Sequence, residues 1–267
     1  MNKIRRAVNK GRFYPADPAQ IDEMIGYWNN IIDNNLKDNS ILNIIPGAII
    51  SPHAGYIFSG FTANIAYRVL ANTKAKRIIV IGPSHHVYIK GISISKFDKY
   101  ETPYGYLDID LKYIQTIEDK FEFSFDTQAH FLEHSTETQM PFIKKYIPKA
   151  EIIEMIYGNL HDSKLLQIIK FILKDPDNAI VISSDLSHFH NLETAEAIDQ
   201  NCLTGVVNKN LAILNSDCEA CGLTGIKAII KASIDFNLKT KLLDYRTSAD
   251  ASKDTERVVG YMSAAIY

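Results

Sequence analysis

A chain of 267 residues, 46% hydrophobic and 22% charged, is long enough to bury a sizeable core as one large globular domain or two small ones. A net charge of −2 and a pI near 6.4 leave no excess of Lys and Arg for the phosphate-neutralising surface that nucleic acid binding requires. The start, Met1-Asn2-Lys3-Ile4-Arg5-Arg6, is charged like a signal peptide but leads into no apolar run. No stretch approaches the roughly 20 apolar residues of a membrane span, and three cysteines give no disulfide framework, so a soluble cytoplasmic protein is the expectation.

In chain order, Arg12-Phe13-Tyr14-Pro15 is an extended lead-in, and Asp17-Pro18 with Gln20 reads as a helix start. Ile21, Met24, Ile25, Trp28 and Ile32 continue it at helical spacing. Asp33 to Asn43 is a polar connection. Gly47 to Ile50, Arg77 to Ile81, Glu151 to Tyr157 and Ala179 to Ser183 are short β-branched runs of the kind that form buried strands. Helices are expected over Phe61–Leu70, Leu111–Phe121, Met140–Tyr146, Ser163–Leu173, Leu192–Val207 and Gly222–Phe236, with a weaker strand at Gly91–Ser95. A polar patch from Asp126 to Gln139 precedes Met140, and Leu242–Tyr245 and Val258–Ile266 read as closing strands. This alternation predicts a three-layer α/β/α fold around a mixed sheet.

Three strands deliver a histidine just past their ends: His53 in Ser51-Pro52-His53-Ala54-Gly55-Tyr56, His85 in Gly82-Pro83-Ser84-His85-His86, and His188 in Asp185-Leu186-Ser187-His188-Phe189-His190. If the strands run parallel, all three open on the rim where α/β folds bind ligands. Imidazole is the commonest metal ligand, so a metal or catalytic site is expected there. The sequence leaves open whether His85 or His86, and His188 or His190, points inward. Tyr56 is close enough to His53 to line a pocket.

Cys218-Glu219-Ala220-Cys221 is a lone Cys-x-x-Cys, and with only Cys202 left a four-cysteine zinc site is excluded. Cys221 stands just ahead of an apolar helix, whose N-terminus would favour a metal-binding thiolate. His130-Phe131-Leu132-Glu133-His134 matches the H-x-x-E-H spacing of a zinc metallopeptidase, although its polar flanks read as a loop. Glu133 orienting a ligand histidine is the blander reading of the same residues.

Pro52-His53-Ala54-Gly55-Tyr56, Gly82-Pro83-Ser84-His85-His86, Glu133-His134-Ser135, Ser183-Ser184-Asp185-x-x-His188, Cys221-Gly222 and the closing Tyr245–Tyr267 region, in this order, resemble the Memo family over nearly the whole chain. The resemblance implies one domain, residues 1–267, similar in fold to class III extradiol ring-cleavage dioxygenases, which hold iron(II) with two histidines and a carboxylate. It implies metal ligands at His53, His85 and Cys221. Asp185, His188 and His134 become the catalytic candidates, with His188 at the position of the acid/base histidine. The metal would be divalent, iron before zinc or copper. Cys221 stands where those dioxygenases use a carboxylate, and a thiolate is softer and oxidisable.

The activity so implied is that of a metal-dependent redox enzyme acting on a small substrate. Its alternative is a non-catalytic metal- or peptide-binding adaptor using the same pocket, as animal members of the family resemble. Microbial members tend to be encoded near radical-SAM proteins, which suggests a functional link of that kind. The zinc metallopeptidase is a distant third reading.

Overall fold

The computed structural model describes residues 3–36 and 38–267. Its elements open with β1 (Ile4–Arg5), α1 (Pro18–Asn35), β2 (Ala48–Ser51), α2 (Tyr56–Leu70), β3 (Arg77–Pro83), β4 (Ile92–Ile94), β5 (Lys99–Thr102) and β6 (Gly105–Asp108). There follow α3 (Leu111–Glu118), α4 (Thr127–Leu132), α5 (His134–Glu137), α6 (Met140–Tyr146), β7 (Glu151–Tyr157), α7 (Asp162–Leu173) and β8 (Asn178–Ser183). The chain closes with β9 (His188–His190), α8 (Leu192–Val207), α9 (Leu211–Ser216), α10 (Leu223–Asp235), β10 (Thr240–Thr247), α11 (Ala249–Ser252) and β11 (Val258–Ile266).

Eight strands form a mixed sheet in the order β10-β11-β2-β8-β3-β7-β4, with β9 paired to β11. Its centre, β2-β8-β3-β7, is parallel, and every residue of β2 and β8 is buried. Strands β2, β3 and β8 read as near-continuous Ile/Val runs because both of their faces are covered, while β7 carries one buried carboxylate, Glu154. Burying each such side chain is worth about 1.5–3 kcal/mol, which makes this ladder the main stabilising element.

The helices cover the two faces as separate groups. Successive strand residues point to opposite sides. Thus Ile182 packs against Gly225 of α10, while Ser183 accepts a hydrogen bond from Gln139, at the start of α6, at 2.9 Å. Helices α1 and α6 pack with α2, and α7 and α9 pack with α10. The result is a mixed α/β fold. In α1, Asp17 accepts from the Ala19 N–H at 2.9 Å, and Ile21, Ile25, Trp28 and Ile32 form the buried stripe that the spacing predicts.

Several boundaries differ from the sequence expectation. Helix α2 starts at Tyr56 rather than Phe61, directly behind the His53 loop, where the Tyr56 N–H binds the Phe13 carbonyl at 2.7 Å. A 3₁₀ turn at Asn39–Asn43 interrupts the polar connection. The small sheet β1-β5-β6 and the short helices α4, α5, α9 and α11 have too few residues to display a period.

Candidate metal centre

The parallel register sets the site. Ser51 pairs with Ser183 and Ile81 with Ile182, so β2, β8 and β3 end on one line. The loops that follow carry His53, Asp185 and His85, whereas His188, the third histidine of the strand-end reading, lies further on in β9, paired with β11. Strand β8 lies between β2 and β3, which puts Asp185 between the two histidine loops.

His53 is buried, and its Nδ1 lies 2.9 Å from Ser183 Oγ. That hydroxyl gives its own hydrogen to the Ser135 carbonyl at 2.6 Å, so it accepts from His53. Nδ1 therefore carries the ring proton and Nε2 presents a lone pair. The His53 N–H also donates to Asp185 Oδ1 at 2.7 Å. Burial, reinforced by His85, pushes the imidazole down to about 3, so the ring is neutral.

Glu133 orders His85 twice, accepting from its backbone N–H at 2.6 Å and from its Nδ1 at 2.9 Å. Burial raises a carboxyl, but the hydrogen bonds and charge of His85, with the backbone N–H groups of His85 and Ser135, outweigh it and hold Glu133 at about 2. Gly82 lets α5 pack closely on β3: a Cβ there would stand 2.6 Å from Ser135 Oγ. This carboxylate–histidine pairing is how metal-ligating imidazoles are usually oriented.

Cys221 Sγ lies 3.3 Å from His53 Nε2 and accepts from the Asp185 N–H at 3.3 Å. Gly222 allows this approach, since a Cβ there would stand 2.7 Å from the Ser183 carbonyl oxygen. Donor atoms of His53, His85 and Cys221 all lie within 4.8 Å of one another and could share one metal ion. The thiol departs from the helix-end expectation. Burial, with the charge of Asp185, pushes it up to about 12 and outweighs the N-terminus of α10. Burial likewise raises Asp185, against the His53 N–H and the surrounding imidazoles.

His134 packs its ring 4.6 Å from that of His85 and 5.5 Å from that of His53, with Nδ1 3.2 Å from His86 Nε2. Burial, then the charge of His53, pushes it down to about 3. A second group that could hold a metal, His85, Glu133 and His134, overlaps the first. The His188 Nδ1–H donates to the Leu186 carbonyl at 2.8 Å and so leaves Nε2 as an acceptor. A cleft of about 320 Å³ opens beside Cys221, with Ser84, Tyr88, Asn159 and Thr224 in its wall.

Other candidates fall elsewhere. Of the adjacent alternates, His86 contacts His134 and His190 pairs with Glu219 at 3.0 Å, both outside the His53–His85–Cys221 group. His130 is fully buried with both ring nitrogens engaged, by Glu154 at 2.9 Å and Ser93 at 3.0 Å. The chain breaks its helix at Glu133, which is extended, so His130 and His134 do not share a helix face. The metallopeptidase arrangement is therefore not formed. Tyr56 does not line the pocket: it is buried, stacks on Phe142, and donates to the Thr138 carbonyl at 2.8 Å.

Residues 5–265 match the Memo family, described as Memo-like protein. The chain belongs to the Memo family. Among its similar relatives, a MEMO1 family protein of Nitrosopumilus maritimus is 28% identical across 97% of this chain and 98% of its own. One from Aquifex aeolicus is 30% identical across 97% and 98%, and one from Methanocaldococcus jannaschii is 30% identical across the whole of both chains.

In this Memo-family chain two features corrected the sequence reading. Cys202 and Cys218 form a disulfide 16 residues apart, so the Cys-x-x-Cys pair is split and Cys221 alone stays free. Ser183 stands in a motif of the resemblance, but its part in setting the His53 tautomer carried no sequence signal, because that role depends on contacts with α5 and α6. Among the described residues no helix is long and apolar enough to cross a membrane.

Proposed function

We propose that the chain is a single three-layer α/β/α domain of class III extradiol dioxygenase type. It binds one divalent metal, iron(II) before zinc or copper, through His53, His85 and Cys221, and acts as a redox enzyme on a small substrate. The supporting observation is the donor set: two imidazoles presenting their Nε2 lone pairs by way of Ser183 and Glu133, and a thiol 3.3 Å from one of them. Two nitrogens and one sulfur suit iron, zinc or copper and do not suit magnesium or calcium. A bound ion would supply Lewis-acid and one-electron chemistry.

The chain's own residues supply the rest. His188 Nε2 accepts a proton from substrate, its tautomer fixed by the Leu186 carbonyl. Asp185 holds the His53 loop through its backbone N–H, and His134 walls the pocket against His53 and His85. The cleft beside Cys221 admits a small molecule.

The test is metal content of protein purified without oxygen, followed by oxygen uptake with a panel of catechols. Wild type is expected to carry one iron per chain and to consume oxygen, while His53→Ala, His85→Ala and Cys221→Ser lose the metal. Retention of metal by all three variants would overturn the ligand assignment. Loaded protein that consumes no oxygen would instead support a binding module built on the same pocket.

A further inference from the structure

A cleft of about 630 Å³ lies at the edge of the main sheet, between β4, the segment following α3 and the start of α7. This is within the usual size of a small-molecule site, about 300–1,000 Å³. Phe121, Phe123, Leu160 and Ile168 give it an apolar lining. Lys90, Lys120 and Lys164 stand around it, all exposed. Among the described residues none of the three ammonium groups has an ion pair or a hydrogen bond.

Glu122 is the one acidic residue in the lining. The acidic residues just outside the lining have partners of their own: Asp162 in the first turn of α7 is held by Lys231 of α10 at 2.8 Å, Glu118 pairs with Lys96 at 2.7 Å, and Asp119, beside Lys120, accepts from Gln115 at 2.8 Å. His161, also in the lining, caps α7 through the Ser163 N–H. The cleft thus joins an apolar body to a surplus of unpaired positive charge at the N-terminal end of a helix, where anions are favoured.

We propose that this cleft binds an amphiphilic carboxylate, with its apolar part on Phe121, Phe123 and Ile168 and its anionic head among Lys90, Lys120 and Lys164. Charge complementarity selects the head, because three lysines without an ion pair, one of them over the Phe171 ring, face the single carboxylate of the lining. Lining chemistry selects the body. Asn159 lines both this cleft and the smaller one beside Cys221, so the two are neighbours, yet this site uses none of the metal-centre residues.

The test is calorimetric titration of the full chain with decanoate, and with decanol as the uncharged molecule of equal length. Decanoate is expected to saturate one site per chain, at least about tenfold tighter than decanol, and to weaken as salt rises. The triple charge reversal K90E/K120E/K164E lowers decanoate affinity about tenfold or more and leaves decanol unchanged. The three positions are exposed, so the fold is retained, and Q167W, at an exposed α7 position in the lining, blocks the cleft independently. No binding of decanoate, equal binding of decanol, or wild-type decanoate affinity in the triple variant and in Q167W would each overturn the proposal.

Discussion

With its thiol pushed up to about 12, Cys221 holds its proton at neutral pH, whereas His53, pushed down to about 3, is already deprotonated. A metal that takes the sulfur therefore displaces one proton from Cys221 and none from His53. Since the thiol's pKa lies above the working range, affinity rises with pH. Metal titrations between about pH 6 and 8 are expected to show roughly a tenfold gain per unit, with one proton released. Cys221→Ser removes that dependence. Glu133 acts one bond further out, through its two hydrogen bonds to His85. Glu133→Gln is expected to weaken metal binding about 10- to 100-fold, measured by competition with a chelator. The blander sequence reading of Glu133, orienting a histidine, agrees with these two hydrogen bonds, whereas the burial that governs Cys221 was not readable. The sequence placed Cys221 beside a helix start but not its burial, and it placed Glu133 in a motif whose helical continuity the chain does not keep.

At the scale of elements, the site rests on α5, a helix of four residues that cannot hold itself. The β1 segment holds it from outside. Arg5 is fully buried, donates to Glu137 Oε2 at 2.6 Å and reaches the Glu133 carbonyl at 2.8 Å, while Tyr14 and the Asn9 N–H, each 2.7 Å from Glu137 Oε1, satisfy the rest of that carboxylate. Removing one partner of a buried, hydrogen-bonded pair leaves an uncompensated charge. Arg5→Met is therefore expected to cost about 3–5 kcal/mol in urea unfolding and to loosen His85 through Glu133. This brace was invisible in the sequence because its partners are 128 to 132 residues apart. The strands that end at the site were legible for the opposite reason. Ile49–Ile50, Ile78–Ile81 and Ala179–Ile182 are each buried on both faces, so local composition alone announces them.

Over the whole molecule, the parallel centre of the sheet brings loops from three distant stretches to one rim, and the disulfide Cys202–Cys218 ties α8 to the segment that delivers Cys221. Three cysteines gave no reason to expect a bridge, since pairing is decided by how α8 and the segment before α10 meet. Closing a loop of this length contributes about 3 kcal/mol by restricting the unfolded chain. Cys202→Ala is expected to lower stability by that order in denaturant unfolding, with metal content retained because Cys221 keeps its Asp185 N–H and His53 contacts. The general plan of the fold followed from hydrophobic patterning, including Leu192–Val207 and Val258–Ile266 to the residue. The insertion of β8 between β2 and β3 did not, because sheet order is set by long-range packing.

The most direct measurement is X-ray absorption at the metal edge of anaerobically loaded protein. One sulfur and two imidazole nitrogens are expected in the first coordination shell of wild type, with the sulfur lost in Cys221→Ser and one nitrogen lost in His53→Ala or His85→Ala. A first shell of oxygen and nitrogen alone in wild type, unchanged in Cys221→Ser, would contradict a centre built on His53, His85 and Cys221.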